Sequence, residues 1–407
     1  MSIFRKILLF CVLMMPLAVS AAGRAPFTDT GLPVLYIDTG GGAAIESKDV
    51  RIAAELRIRD ADGSETAEPL ACTVKGRGNT TWRWPKKPYR LRLADDVSIL
   101  GMPAHHDWVL LANFCDRTLM RNLLAMKVSS LTSLDWTPRC VPVELVINGK
   151  HLGQYLLSES VAVGPDRLDL TPGGYLLESD FHFDNEVQWE DYHGSSSYLF
   201  CGIPFAVKYP SAKDLTPGQE EFIKRYVKNA ATALYGKDFA DPEKGYAAFL
   251  DVDSFVDYWL VFEILGNSEL RHPGSVFMHL DEGGKLKAGP CWDFDWCLTK
   301  SGGSRLHNKR AFWYGRLFKD PVFCAKVRVR FMELLPELRR IPEEIDNYKA
   351  KFAASAQLNF ALWNPALDRW ENKGLLVNGD ENLSFNDAVA QLRATFVSRL
   401  DLLENNL

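Results

Sequence analysis

The chain has 407 residues, of which 47% are hydrophobic, 24% charged and 12% aromatic. These proportions are ordinary for a soluble globular protein, and they exclude a largely disordered, collagen-like or coiled-coil chain. The formal net charge of −5, from 47 basic and 52 acidic residues, gives no basic excess that would indicate binding to nucleic acid or to an anionic membrane.

The first residues have the pattern of an export signal. Arg5 and Lys6 precede a short apolar run over residues 7–19, and small residues follow it. Such a run is too short to span a bilayer comfortably, so a retained membrane anchor is the less favoured alternative. The sequence therefore predicts a cleaved signal peptide over residues 1–21. The rest of the chain is predicted to be secreted, periplasmic or in the cell envelope, with no later membrane span.

The part of the chain that follows the signal reads as β-rich. Short or alternating apolar runs predict three strands, over residues 34–37, 53–59 and 89–93. Two more strands, over residues 141–147 and 151–157, flank Asn148-Gly149, a pair that tolerates the positive φ angles of a type I′ hairpin turn.

The second half shifts toward helix. Apolar periodicity predicts four helices, over residues 117–131, 217–234 and 253–265 and from residue 385 onward. Asp116 and Ser384 are the expected caps of the first and the last of these. A further hairpin is predicted from strands over residues 277–280 and 286–292. The fold class is therefore α+β, with a β-rich lobe over about 32–165, a mainly helical lobe over about 205–407, and a cleft between them.

A glycine-rich loop and a lysine are the first candidate site. Residues 75–81 combine Arg77 with small and hydroxyl residues, which suits close approach of backbone amides to a phosphate, although a surface turn explains the same residues. Strand parity places Lys87 on the inward face shared with Tyr89, with Lys86, Arg90 and Arg92 pointing the other way. An inward lysine needs a partner or an anionic ligand, so Lys87 is a candidate anion-binding residue.

The second candidate site is the segment that carries Asp293 and Asp295 between two tryptophans. In extended backbone both carboxylates point the same way and suit a hard cation such as Mg²⁺. Adjacent carboxylates repel, so a cation or an arginine is needed to keep both ionised. The alternative is a pair of loop aspartates that cap backbone amides.

The loop over residues 267–275, directly after the predicted helix that ends at residue 265, is the third candidate. Glu269 or His272 is able to act as a general base if it lies near a substrate hydroxyl. A plain polar loop remains the alternative. Neither a G-x-S-x-G nor an H-E-x-x-H pattern is present in the sequence, which argues against a serine hydrolase and a zincin.

Two arginines and one glutamate complete the candidates. Arg117 and Arg121 lie one turn apart on a predicted helix, where they either clamp phosphate oxygens or pair with acidic neighbours. Glu159, at the end of a predicted strand, is a candidate acidic partner for them.

Taken together, these segments resemble the CotH family, the spore-coat protein H-like atypical protein kinases. The resemblance rests on residues 75–79 with 86–89, on 116–122, on 148–159 and on 292–296, which occur in one order. It runs from about residue 32 to residue 318. It implies a two-lobed, divergent protein-kinase-like fold that binds ATP with Mg²⁺ and phosphorylates Ser or Thr of proteins.

The resemblance also implies roles for individual residues. Lys87 matches the nucleotide-binding lysine, Asp293 the metal-binding aspartate, and Asp295 a second acidic neighbour. The family loop usually carries an aspartate as base, often with a following asparagine, and here Glu269 and Ser275 stand in those places. Arg77, Arg117, Arg121 and Glu159 are the remaining candidates around the nucleotide.

Three functions are consistent with this pattern. The leading hypothesis is a secreted kinase that uses ATP and Mg²⁺ on a protein substrate of the cell surface or envelope. The runner-up is a non-catalytic nucleotide-binding or surface-structural protein on the same fold, because Glu269 and Ser275 depart from the family pattern. The third and weaker hypothesis is a metal-dependent hydrolase of the envelope that uses the same acidic pair.

Overall fold

A computed structural model describes residues 28–182, 187–191, 193, 202–300, 305–363 and 378–407. The predicted signal peptide lies outside these residues. The described part holds two β-sheets and seven helices, so the α+β class is confirmed. No helix in the part that the structure describes is both long and apolar enough to cross a membrane.

Seven strands close into a barrel in the order β1-β2-β3-β4-β5-β7-β6. Neighbours run antiparallel except β1 and β6, which pair in parallel and close the ring. The strands are β1 (Val34–Thr39), β2 (Ile52–Arg59), β3 (Leu70–Gly76), β4 (Tyr89–Ile99), β5 (Met102–Leu111), β6 (Cys140–Ile147) and β7 (Lys150–Glu159). The sequence predicted several of these strands but not their closure into a barrel.

Alternation along the strands fills the barrel with apolar side chains. On β4, Tyr89, Leu91 and Leu93 are buried in the barrel core, whereas Arg90 and Arg92 lie on the outer surface. The predicted β6–β7 hairpin is confirmed. Its turn residues Asn148 and Gly149 have φ angles of 50° and 75°, as a type I′ turn requires.

A second sheet has five strands in the order β12-β11-β8-β10-β9. They are β8 (Tyr175–Ser179), β9 (Gln188–Asp191), β10 (Ile203–Tyr209), β11 (Val276–Leu280) and β12 (Leu286–Ala288). The predicted hairpin is present as β11–β12, but its second strand ends at Ala288, not at residue 292. The predicted lobe boundaries stay a prediction.

The helices are α1 (Arg121–Ser129), α2 (Pro217–Tyr235), α3 (Val252–Ile264), α4 (Tyr314–Leu317), α5 (Pro321–Leu338), α6 (Ile341–Leu362) and α7 (Phe385–Asn406). The helices predicted at residues 217, 253 and 385 begin within one residue of the expected positions. Helix α3 is the centre of the carboxy-terminal core, since all its residues from Ser254 onward are buried. Ser384 caps α7 by accepting a hydrogen bond from Asp387 N at 3.1 Å.

Helix α1 begins four residues later than predicted, at Arg121. Asp116 does not cap a helix at 117. Its carboxylate accepts hydrogen bonds from Thr118 N and Arg121 N, both at 2.8 Å, which fold a turn between them. Leu119 has a φ of 59° inside this turn, which is incompatible with α-helix.

Candidate functional site

A cavity of about 430 Å³ lies where the outer surface of the barrel meets the five-stranded sheet and α1. Its walls come from parts of the chain that are far apart in sequence: residues 77–81 after β3, 178–182 at the end of β8, 269–275 after α3 and 292–296 after β12, with Asn122 of α1. Of the sequence candidates, Arg77, Glu269, His272, Ser275, Asp293 and Asp295 line this cavity.

The segment that carries Asp293 and Asp295 is a loop, not the extended strand that the sequence predicted. Asp293 has a φ of 62°, so the two aspartates do not share a strand face through simple alternation. Asn122 holds the loop instead. Its Oδ1 accepts a hydrogen bond from Phe294 N at 2.9 Å, and its Nδ2 donates to Asp295 Oδ1 at 2.6 Å. Both aspartates face the cavity as a result.

Four carboxylates form an acidic wall of the cavity: Asp180, Glu269, Asp293 and Asp295. Asp293 is exposed to the cavity interior, and the other three are half-buried. Burial and the charges of Asp293, Asp180 and Asp295 raise the pKa of Glu269 well above its ordinary value. Although Asp293 opens onto the cavity, desolvation by the protein around the cavity raises its pKa, and the same desolvation with the neighbouring Asp293 charge raises that of Asp295. The wall thus holds more negative charge than its protein surroundings neutralise.

Arg77 and the glycine-rich loop form the facing cationic wall. The Arg77 guanidinium lies 5.9 Å from the centre of the Trp292 ring and makes no ion pair with a described residue. Gly78 has a φ of 83°, and a Cβ there would lie 2.0 Å from Thr81 Oγ1, so the tight turn of this loop requires glycine. Two other cations at the cavity already have partners, since Arg90 pairs with Asp107 and Lys208 with Glu178.

The loop after α3 brings the two base candidates together. His272 Nε2 lies 3.7 Å from Glu269 Oε2. A Cβ at Gly274 would lie 2.6 Å from the same Glu269 oxygen, so the absence of a side chain at 274 leaves room for this carboxylate. Ser275 has a φ of 53°, and its backbone N contacts Asp180 Oδ2 at 3.4 Å. Such positive φ angles outside glycine are typical of functional sites.

The predicted inward orientation of Lys87 is wrong. Lys87 is half-buried, and its Nζ donates a hydrogen bond to Trp82 O at 2.7 Å. It does not line the cavity. The fully buried lysine is Lys86, whose Nζ donates to Asn359 Oδ1 of α6 at 2.8 Å and to Gln154 O. Pro88 and Tyr89 are both buried, so the alternation breaks between them and parity cannot be extended back to Lys87.

The expectation that the site lies on the inward face of β4 is also wrong. The inward face of β4 points into the barrel core, whereas the cavity lies against the outer face. Arg90, which the sequence placed on the opposite side from the site, therefore lines the cavity.

Arg117, Arg121 and Glu159 do not line the cavity. Arg121 is fully buried and pairs with Asp116 and with Asp380, the latter at 2.8 Å. Arg117 donates to Leu383 O at 2.9 and 3.1 Å. These contacts connect α1 and the turn before it to Asp380 and Leu383, which precede α7.

 Glu159 is buried and accepts hydrogen bonds from Arg139 N at 2.7 Å and from Arg139 Nε at 3.0 Å. The expectation of a pair with Arg117 or Arg121 is wrong, because β6 and β7 bring Arg139 beside Glu159, away from α1.

Among the contributors to the cavity to which sequence reasoning assigned no role are Asp180, Lys208 and, within the predicted loop 267–275, the positioning residue Asn267. Asp180 directly follows the fully buried strand β8, and a carboxylate at the end of such a strand is a signal that was available in the sequence. Asn267 is fully buried. Its Oδ1 accepts from Glu269 N at 2.8 Å, and its Nδ2 donates to Asp293 O at 3.2 Å, a link that only the folded chain reveals.

One group of possible metal ligands lies outside the cavity, on the β4–β5 hairpin. Asp96, His105 and His106 place ligand atoms within 4.8 Å of one another. In the described residues no other set of three histidine, cysteine or carboxylate side chains meets this distance, and so the acidic wall is not a closed three-ligand cage. Asp96 already pairs with His106 at 2.7 Å, and His105 Nδ1 accepts from Asp107 N.

Comparison with known protein families gives one result. The family described as CotH kinase protein matches residues 74–401, which is most of the chain and includes every wall of the cavity. No curated protein matches the chain significantly.

Proposed function

Because the chain belongs to the CotH kinase protein family, we propose that it is a protein kinase that transfers the γ-phosphoryl group of ATP to a Ser or Thr hydroxyl of a protein. The barrel and the region of helices α2–α7 would be the two lobes of a divergent kinase-like fold. The observation that carries the proposal is the meeting of an acidic and a cationic wall in one cavity.

The acidic wall suits Mg²⁺ in its chemistry. Mg²⁺ prefers carboxylate oxygens and usually keeps several waters, so it does not need a closed protein cage. Burial, together with the charges of neighbouring carboxylates, raises the pKa values of Glu269, Asp293 and Asp295. Arg77 offsets this rise only in part at Asp293 and Asp295, and a divalent cation would add positive charge at this wall. Asp293 and Asp295 are the residues that would hold it. When bound, the ion would neutralise charge on the phosphate oxygens.

The cationic wall suits the phosphates. Arg77 lines the cavity over the Trp292 ring. The charges of Asp293 and Asp295 act on the Arg77 guanidinium, and an anion in the cavity would also reach it. The tight turn at Gly78 would let backbone amides of residues 78–81 approach a phosphate bound at Arg77. Guanidinium groups bind phosphate oxygens through paired N–H donors. Arg77 would therefore take the phosphate-binding role that the sequence assigned to Lys87.

Glu269 is the proposed base for the substrate hydroxyl. It faces the cavity beside Asp293, and Asn267 fixes its backbone. A carboxylate accepts the hydroxyl proton only when it is ionised. Burial and the charges of the other carboxylates raise the pKa of Glu269, and positive charge bound at Asp293 and Asp295 would lower that pKa toward its ordinary value.

The raised pKa of Glu269 also favours the alternative function, nucleotide binding without transfer. If Glu269 stays protonated with the nucleotide bound, it has no capacity to take the hydroxyl proton, and the protein would be a binding module.

A pair of measurements tests the proposal. ATP with Mg²⁺ should raise the melting temperature of the wild type, because a ligand selective for the folded state stabilises it. It should also support transfer of labelled phosphate to an acceptor protein. Asp293→Asn should lose both effects, whereas the control Asp253→Asn, at an exposed residue of α3, should keep both. No shift and no transfer in the wild type would refute the kinase, and a shift without transfer would establish the binding module.

We also propose that the protein works outside the cytoplasm. The support is the signal-like pattern over residues 1–21. Amino-terminal sequencing of the mature protein and fractionation of the source cells would test this, and an intact amino terminus in the cytoplasm would contradict it.

A further inference from the structure

The outer face of the barrel carries a strip of positive charge that leads into the cavity. On β3 and β4, Cys72, Val74, Leu91 and Leu93 point into the barrel core, so the residues between them point outward. Lys75 pairs across the strands with Arg90, and Thr73 with Arg92. Arg51 joins from the side, where its Nη1 donates to Thr73 Oγ1 at 3.3 Å. We call Arg51, Lys75, Arg90 and Arg92 the cationic strip.

The strip holds more positive charge than its neighbours balance. The buried Asp107 of β5 accepts a hydrogen bond from Arg90 Nε at 3.0 Å and forms an ion pair with Arg92 Nη2 at 3.5 Å. The negative charge of Asp49 also acts on Lys75. With Glu55 of β2, which lies opposite Ala71 on the same outer face, three carboxylates therefore face four cations. Burial, then the charges of Arg51 and Arg90, lower the pKa of Lys75, and burial with Arg92 lowers that of Arg51. The four cations thus repel one another.

This excess is local, because the chain as a whole has a net charge of −5. It is also continuous with the candidate site. Arg90 belongs both to the strip and to the cavity wall, and its charge acts on Arg77, which faces Asp293. A molecule that lies along the strip therefore reaches the place where Glu269 is positioned.

We propose that the cationic strip is the docking surface for an acidic segment of the acceptor protein, next to the residue that receives the phosphate. The proposal rests on the proposed kinase function and adds a substrate class to it. The backbones of Arg90 and Arg92 stand about 7 Å apart along the strand, the distance between alternate residues of an extended peptide, and both guanidiniums reach the carboxylate of Asp107 between them. Alternate Glu or Asp residues of such a peptide match that spacing.

Other anionic partners fit less well. Single-stranded nucleic acid is usually bound with aromatic side chains on which its bases stack. The outward residues beside the strip on β3 and β4 are Ala71, Thr73 and Ala94, none of which is aromatic.

The test measures binding without nucleotide, so that it does not depend on phosphate transfer. A labelled peptide with one serine among alternating glutamates is compared by fluorescence anisotropy with the same peptide carrying glutamines. The wild-type full chain should bind the glutamate peptide at least about tenfold more tightly at low salt, and the preference should fade at about 0.5 M salt as charges are screened.

Matched variants locate the binding surface. Arg51→Gln with Arg92→Gln should weaken binding of the glutamate peptide by about tenfold, as expected for two exposed ion pairs. The control is Arg225→Gln with Arg328→Gln, two exposed arginines on α2 and α5, and it should bind like the wild type. The melting temperature of each variant checks that it is folded, and the salt series on the wild type does not depend on any variant.

The outcomes separate this proposal from the kinase proposal. Binding without transfer would keep the docking surface and refute the kinase. Transfer with no preference for the acidic peptide would keep the kinase and overturn the docking surface. Tighter binding of single-stranded DNA or of anionic lipid vesicles than of the peptide would also overturn it.

Discussion

The side-chain amide of Asn267 donates a hydrogen bond to the backbone carbonyl of Asp293 at 3.2 Å. The other end of the same amide accepts from Glu269 N at 2.8 Å. One buried side chain thus sets the distance between the candidate base and the candidate metal ligand. Because Asn267 is fully buried, both contacts are protected from water.

Asn267→Ala should remove both contacts and leave Glu269 N and Asp293 O without these partners. Loss of a partner from a buried polar group costs about 1–3 kcal/mol, so the free energy of unfolding should fall by about that amount. The rate of phosphate transfer should fall as well. Chemical denaturation and a transfer assay measure the two effects.

Asn267→Asp separates the two contacts. Its carboxylate still accepts from Glu269 N but has no proton to donate to Asp293 O. If the link to Asp293 positions the site, this variant should lose transfer, and it should also lower the free energy of unfolding, because a carboxylate oxygen would be buried against the Asp293 carbonyl oxygen. Equal transfer by Asn267→Asp and the wild type would contradict that role.

Gly274→Ala should displace the Glu269 carboxylate. The new Cβ would lie 2.6 Å from Glu269 Oε2, and such a contact forces one of the two groups to move. We expect kcat to fall at least about tenfold, which corresponds to about 1.4 kcal/mol of transition-state stabilisation, with the ATP-induced thermal shift retained. Gly218→Ala is the matched control, because its Cβ would meet no atom within 4 Å. A Gly274→Ala enzyme of normal kcat would show that the position of Glu269 is unimportant.

The acidic wall should make the fold less stable as pH rises. The pKa values of Glu269, Asp293 and Asp295 are raised in the folded chain, so their contribution to stability is complete below the pKa of the unfolded groups, near 4. It is lost as pH rises through the raised values, because ionisation then costs more in the folded state. Thermal unfolding measured from pH 4 to pH 8 should show this decline.

Two changes should reduce that pH-dependent loss. Mg²⁺ should oppose it by compensating the charge, and Asp293→Asn should oppose it by removing one of the carboxylates. A wild-type decline that neither change alters would rule out the acidic wall as its source.

Lys86 should produce the opposite pH dependence. Burial lowers the pKa of Lys86 to about 7, whereas an unfolded lysine titrates near 10.4. Between these values the unfolded chain binds the extra proton, so the contribution of Lys86 to the free energy of unfolding rises with pH. The wild type should therefore gain stability relative to Lys86→Met as pH rises from 7 to 10, by up to about 1.4 kcal/mol per pH unit.

Denaturation at several pH values, with Lys228→Met at an exposed site of α2 as control, tests this expectation. A constant difference between wild type and Lys86→Met across the range would show that Lys86 keeps its proton in the fold.

Much of the secondary structure follows from local sequence. The Asn148-Gly149 turn, the Ser384 cap and the alternation from Tyr89 to Leu93 were each predicted correctly, because they depend on backbone preferences and on apolar spacing within a few residues. The start of α1 was missed, because Asp116 had two local hydrogen-bonding options and the turn at Leu119 took precedence over the helix cap.

The sequence by itself also identified three of the segments that supply the candidate site, since residues 77–81, 269–275 and 293–295 meet at one cavity, but it did not identify the fourth, residues 178–182. It did not determine which side of β4 faces that cavity. Alternation separates the two faces of a strand, but only the closing of seven strands into a barrel makes one face a sealed core and leaves Arg90 on the other, at the wall of the cavity. That choice depends on contacts between residues more than a hundred positions apart, and local spacing carries no record of them.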